Sequence, residues 1–237
     1  MKNNICISTG SVYIVEQDMN KKIELLKPFP CDGIELNFAF AQDLVDFNIT
    51  PENLEFLLRK RVTIHAPWKG IFYGDNSQCN ETLNTIQNLY RQVRAELVNF
   101  HLFEGQDLSV VQKYDFNATL ENDDWKKRLQ TQEQVEHALR QNPKFGLTLD
   151  FAHVYSISPD NIARFIGGFK GRISQMHISY LDRTLKDHWF LYRHDSEKQR
   201  GLLRLIPEDI PLVLECVASD SSEVPLIADE IKYLRSI

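Results

Sequence analysis

Gly146-Leu147-Thr148-Leu149-Asp150-Phe151-Ala152-His153 is the stretch whose reading decides the fold. Its first half is a short apolar run of the length a buried strand needs, and it closes on a carboxylate with a histidine three residues later. Working outward, the same pattern recurs. Ile64-His65-Ala66-Pro67-Trp68, Phe100-His101-Leu102, Leu120-Glu121-Asn122-Asp123, Met176-His177-Ile178-Ser179 and Leu214-Glu215-Cys216 each place a metal-ligand residue type where an apolar run ends.

The runs predict strands near 4–8, 33–38, 61–65, 96–102, 115–121, 146–151, 173–179 and 212–216. Between them lie stretches with helical spacing. The clearest is 80–95, where Leu83, Ile86, Leu89, Tyr90 and Val93 recur at intervals of one to four residues that keep them on one face. Residues 131–140, 161–169 and 222–234 read the same way, the last with Ser221 and Ser222 as expected caps. Eight strands alternating with helices predict a single (β/α)8 TIM barrel over residues 1–237; an open doubly wound sheet is the structural alternative.

The 237 residues, 43% hydrophobic and 25% charged, suffice for one large core, and no Pro/Gly/Ser-rich linker divides them. The N-terminal residues hold no apolar run long enough for a signal peptide, and no segment approaches the roughly 18 apolar residues of a membrane span. A cytoplasmic protein without a membrane partner is expected. Cys6, Cys31, Cys79 and Cys216 are scattered and read as buried free thiols. The net charge of −6 offers no global attraction to nucleic acid.

In a barrel the C-terminal ends of all strands ring one mouth, so residues far apart in sequence converge there. Imidazoles and carboxylates are the donors expected around Zn, Mn, Co or Mg. A lone His65 or His101 reads most simply as a hydrogen-bonded core histidine. Glu121, Asp150 and Glu215 are different, because burying an uncompensated carboxylate costs on the order of several kcal/mol and calls for a cation. Asp187 and His188, beyond the seventh strand, read either as loop charges or as groups reaching back over the mouth. Arg183, Lys186 and Arg193 read as solvated loop charges ahead of phosphate ligands. Glu35 lies on an apolar strand facing the barrel interior and reads either as a salt bridge there or as a direct catalytic part. His137 and His194 read as surface residues, and Trp68, Phe72, Trp189 and Phe190 as packing or as an apolar wall at the mouth.

Through Ile64-His65-Ala66-Pro67, Leu120-Glu121-Asn122, Asp150-Phe151-Ala152-His153, Met176-His177-Ile178 and Leu214-Glu215, the chain resembles the xylose isomerase-like superfamily of metal-dependent barrels. The resemblance covers nearly the whole chain and has two branches. The sugar isomerase and epimerase branch implies one divalent ion (Mn, Co, Mg or Zn) on Glu121, Asp150, His177 and Glu215. Glu121 and Glu215 then also move a proton on a small sugar or sugar phosphate through an enediolate, a role in carbohydrate metabolism. The endonuclease IV-like branch implies up to three Zn ions, adding His65, His101, His153, Asp187 and His188, and phosphodiester cleavage of abasic DNA. Adjacent Asp187 and His188 depart from that branch, which separates the pair by one residue. The isomerase or epimerase is the expected function; the endonuclease is the alternative, and a noncatalytic metal- or sugar-binding barrel the third reading.

Overall fold

The computed structural model describes residues 1–123, 129–181 and 188–237. Within them the chain closes into a (β/α)8 barrel with strand order β1 through β8 and parallel pairing throughout, β1 joining β8. The strands are β1 (Ile5–Ser8), β2 (Gly33–Asn37), β3 (Arg61–His65), β4 (Leu97–Phe100), β5 (Ala118–Glu121), β6 (Gly146–Asp150), β7 (Ile173–Ile178) and β8 (Leu212–Leu214). The wall carries α1 (Met19–Leu26), α2 (Ala41–Val45), α3 (Pro51–Leu57), α4 (Ser77–Val93), α5 (Gln132–Gln141), α6 (Phe151–Ile157), α7 (Asn161–Gly168), α8 (Glu197–Leu203) and α9 (Leu226–Ser236). Between β4 and β5 a 3-10 turn, Leu108–Lys113, takes the helix's place.

Side chains alternate across a strand, and here the alternation divides wall from lumen. Ile34 and Leu36, Val62 and Ile64, Val98 and Phe100, Leu147 and Leu149, Met176 and Ile178 are buried in the apolar core cluster that includes the helices. The residues between them are polar and meet their neighbours on adjacent strands inside the lumen. Thr63 Oγ1 donates to Glu35 (3.3 Å), Thr119 Oγ1 donates to Asn99 (3.2 Å), and Thr119 and Thr148 share a hydrogen bond of 2.7 Å. Gly33 permits the β2 contact, since a Cβ there would lie 2.6 Å from both Arg61 O and Cys6 Sγ.

Except for β3, which matches its run, the strands are shorter than the apolar runs predict. The β4–β5 ladder starts only at Val98 opposite Ala118, so 96 and 115–117 lie outside it. Asn117 instead donates its side chain to Glu96 O. Phe151 opens α6 rather than closing β6, because the Asp150 carboxylate caps that helix by accepting the His153 N–H at 2.7 Å. The final helix begins at Leu226, not Ser222. Both the N–H and the hydroxyl of Ser222 are engaged by Asp220, and Pro225, which has no N–H to leave unpaired, stands at the helix start. The helices α1, α2, α3, α6 and α8 are ones that the spacing does not predict.

No helix among the described residues is long and apolar enough to cross a membrane. All four cysteines are buried and free.

Candidate metal centre

The inward-facing residues at the strand ends converge at one mouth. Glu121, ending β5, stands among three imidazoles: its Oε2 is 3.3 Å from His65 Nε2, 3.7 Å from His101 Nε2 and 3.5 Å from His177 Nδ1. Asn99, one strand away, donates its amide to the same oxygen. His177 Nδ1 also lies 3.1 Å from Glu215 Oε2 and 4.0 Å from Asp150 Oδ2. His153 stands 3.6 Å from Glu121 and 3.7 Å from Asp150. His188 Nδ1 is 2.7 Å from Ser179 Oγ and 4.0 Å from Glu215.

Eight of the nine expected ligand residues therefore surround one point; Asp187 lies outside the described residues. They form three overlapping donor groups: Glu121, Asp150, His177 and Glu215; His65, His101 and Glu121; and Asp150, His153 and His188. Within each group the ligand atoms lie within 4.8 Å of one another.

A layer of polar contacts that the apolar-run reading passes over holds these residues. Asn122 clamps the start of α6: its Oδ1 accepts the Asp150 N–H (2.7 Å), its Nδ2 donates to Asp150 O (3.2 Å), and its carbonyl meets His153 Nδ1 at 2.8 Å. A proton on that Nδ1 leaves the other ring nitrogen of His153 with its lone pair. His65 Nδ1 similarly faces Ala66 O at 3.1 Å, turning Nε2 toward Glu121. Asp123 stands 3.4 Å from His101. Trp68 packs its ring 4.7 Å from His65 and 5.7 Å from His101. The signal for Asn99 and Asn122 is present in the sequence as polar residues at lumen-facing or strand-end positions.

The electrostatics fit a cation. Among the described residues no lysine or arginine pairs with Glu121, Asp150 or Glu215, all of which are buried or nearly so. Burial opposes charge on Glu121, but His101 and His177 outweigh it and hold the carboxyl well below its usual range. Burial likewise opposes charge on Glu215, and His177 brings it down to about 2. Asp150 goes the other way: burial raises it, and the Glu121 and Glu215 carboxylates push it further up. Burial disfavours charge on His177, yet Glu215, Glu35 and Glu121 raise it well above an ordinary imidazole. Imidazolium protons thus balance two carboxylates, and the third can only stay protonated or meet another cation.

Asp150 Oδ2 and His177 Nδ1 have no hydrogen-bond partner although both are buried. Separations of 3.1 to 4.0 Å around them are those of neighbouring donors on one ion with ligand bonds of about 2.1 Å. The residues present fit a divalent metal ion.

The cluster floors a cavity of about 770 Å³ that opens outward over the loops after β1 and β2. Its outer lining carries Asp18, Asp43 and Asp46 against Lys22 and Lys69, with Phe40, Phe47 and Trp68 as aromatic surface. No arginine lines it among the described residues. Phe72 and Trp189 are exposed and Phe190 is buried, so of the four expected aromatics only Trp68 reaches this wall. Arg193 pairs with Glu223 at 2.9 Å. His137 is exposed, whereas His194 stacks on Tyr180 with ring centroids 3.7 Å apart.

The sequence matches no protein-family model and no curated protein. Solved structures do match in fold. A D-allulose 3-epimerase from a Methylomonas species, in complex with D-allulose, has a TM-score of 0.72 at 12% identity, covering 99% of this chain and 96% of that one. Endonuclease IV from Thermus thermophilus has a TM-score of 0.67 at 14% identity, with 98% of each chain covered. A probable 3-DHS dehydratase of petrobactin synthesis from Bacillus anthracis has a TM-score of 0.73 at 12% identity, again with 98% of each covered. The chain shares the closed (β/α)8 barrel fold of these proteins, and that fold hosts at least these three chemistries.

Proposed function

We propose that this chain is a divalent-metal-dependent isomerase or epimerase of a small sugar or sugar phosphate. The observation that supports it is the approach of Glu121 and Glu215 to His177 Nδ1, at 3.5 and 3.1 Å, on the floor of a cavity about 770 Å³ in volume. Glu121, Asp150, His177 and Glu215 would hold the ion. When bound, such an ion acts as a Lewis acid on a carbonyl and its neighbouring hydroxyl and stabilises the charge of an enediolate.

The chain's own residues handle the proton. Glu215 lines the cavity and is ionised at neutral pH, so it would be the group that accepts a proton from a carbon next to a carbonyl. Glu121, fixed by Asn99 and His65, would exchange a proton at the neighbouring position. His101 and His188 offer hydrogen bonds to substrate hydroxyls from the cavity wall. Trp68 supplies an apolar face and keeps water from His65.

A second reading, zinc-dependent phosphodiester hydrolysis of abasic DNA, is favoured by the two further donor groups built on His65 with His101 and on His153 with His188. The lining counts against it: three aspartates face two lysines around the cavity, the reverse of what a polyanion selects.

Incubation of the metal-loaded protein with ketoses, aldoses and their phosphates in D2O tests the proposal. Deuterium entering the carbon beside the carbonyl, with formation of the isomer or epimer, is the expected result. Cleavage of an abasic-site duplex without any such exchange would replace the first reading by the second. Metal bound with neither activity would leave a binding protein.

A further inference from the structure

Glu35 projects from the middle of β2 into the barrel lumen, fully buried, below the strand-end cluster and outside every donor group described there. Its Oε2 lies 3.2 Å from His177 Nε2 across the lumen. Gln175 Nε2 donates to the same oxygen at 3.1 Å and Thr63 Oγ1 at 3.3 Å. Gln175 Nε2 also lies 3.2 Å from His177 Nε2, a contact in which the ring nitrogen would accept only in the opposite, Nδ1–H tautomer. No lysine or arginine pairs with Glu35 among the described residues.

Glu35 Oε2 accepts from Gln175 and Thr63, and an imidazole nitrogen meeting the same accepting oxygen is the one that carries a proton. That assigns Nδ1 the lone pair of the neutral ring. Nδ1 is the atom 3.1 Å from Glu215, 3.5 Å from Glu121 and 4.0 Å from Asp150. It is also without a hydrogen-bond partner. Left to itself, a neutral histidine samples both tautomers, and one of them would turn an N–H toward the metal position.

We propose that Glu35 is a positioning residue that fixes His177 in the Nε2–H tautomer and thereby presents Nδ1 to the metal ion, forming a carboxylate–histidine–metal relay through the barrel lumen. This rests on the reading that Glu121, Asp150, His177 and Glu215 hold metal. The relay ties β2 to the site although β2 supplies no ligand. Thr63 and Gln175 hold the carboxylate in the same way that Glu35 holds the ring. Partners of this kind change metal affinity by about 10- to 100-fold when removed.

The test compares Zn affinity of the full chain, Glu35→Gln and Glu35→Leu by competition with a chromophoric chelator, alongside side-chain 15N spectra of His177. Glu35→Leu is expected to bind Zn about 10- to 100-fold more weakly. Glu35→Gln, which still offers a carbonyl oxygen to Nε2–H, is expected to recover most of that loss. In metal-free spectra recorded at alkaline pH, where the ring is neutral, Nε2–H should dominate in the unaltered chain and in Glu35→Gln, whereas Glu35→Leu should show a tautomer mixture. A merely structural role would lower the melting temperature without moving the tautomer. Unchanged Zn affinity in both variants while the unaltered chain binds Zn overturns the relay alone. Absence of Zn binding by the unaltered chain overturns the metal reading beneath it. Should Glu35→Leu fail to fold, Glu35→Gln with Nδ1–H dominant at His177 still refutes the proposal.

Discussion

Replacing Asp150 by Asn separates what the cluster does for folding from what it does for metal. The Asp150 carboxylate has two oxygens with different tasks. Oδ1 caps α6 by accepting the His153 N–H at 2.7 Å, and Oδ2 faces His177 Nδ1 at 4.0 Å with no hydrogen bond. Asparagine caps a helix about as well as aspartate, so the first task survives. The second does not, because a neutral amide is a poor ligand and its N–H group points at the ion. With metal at about 1,000 times its dissociation constant, binding stabilises the fold by about 4 kcal/mol. For a chain of this size that is a rise of roughly 8 to 16 °C at about 2 to 4 °C per kcal/mol. A hundredfold weaker site in Asp150→Asn retains about 1.4 kcal/mol of it, a rise of roughly 3 to 6 °C.

The metal-free variant should lose nothing. Burial and the Glu121 and Glu215 carboxylates hold the Asp150 pKa well above its ordinary value. Above pH 3.8 the unfolded chain has released this proton while the folded chain retains it, so metal-free stability falls as pH rises toward the folded pKa. Asparagine has no proton to lose and should flatten that slope. Differential scanning calorimetry with saturating metal and with chelator, at several pH values, reads both effects. A full metal-induced rise in Asp150→Asn, or a metal-free melt many degrees below that of the unaltered chain, refutes the reasoning.

Glu121→Gln and Glu215→Gln should each lower turnover by about 10²- to 10⁴-fold while leaving the far-ultraviolet circular dichroism unchanged, and near-normal steady-state rates in either would remove that residue from proton transfer. His65→Ala and His101→Ala should reduce an isomerase by about tenfold or less, whereas a three-zinc phosphodiesterase would lose most of its activity; kcat/KM against both substrate classes decides. Glu230, buried under the turn it holds by accepting the Leu191 and Tyr192 N–H groups, is pushed up by burial to about 7. Its folded pKa exceeds the unfolded 4.5, so stability is lost as pH climbs from about 4.5 to about 7. Urea midpoints across that window should fall less steeply in Glu230→Gln.

Much of the fold is legible in the sequence because a barrel lumen imposes alternation. Ile34-Glu35-Leu36, Val98-Asn99-Phe100 and Leu147-Thr148-Leu149 each place apolar residues toward the helices and a polar one inward. The strand-end rule then locates Glu121, Asp150, His177 and Glu215 without any knowledge of contacts. Strand limits are harder, since hydrophobicity does not say where a neighbour stops pairing: β4 ends at Phe100 although His101 and Leu102 are buried. Short helices such as α2 and α3 hold too few turns for a periodic signal. Glu35 is visible as a carboxylate on an apolar strand, but its partner sits 142 residues away on the far side of the lumen, a pairing that only closure of the barrel creates. Asn122 is visible as a polar residue at a strand end, but spacing carries no trace of the partners it holds, the Asp150 backbone and the His153 ring.

Metal content per chain, measured by elemental mass spectrometry on protein purified without chelator, tests the central claim most directly. Close to one tightly held divalent ion per chain is expected, lost in Asp150→Asn. Near three zinc ions per chain would contradict the single-ion isomerase and favour phosphodiester hydrolysis, and no metal even after reconstitution would contradict a metal centre at this mouth altogether.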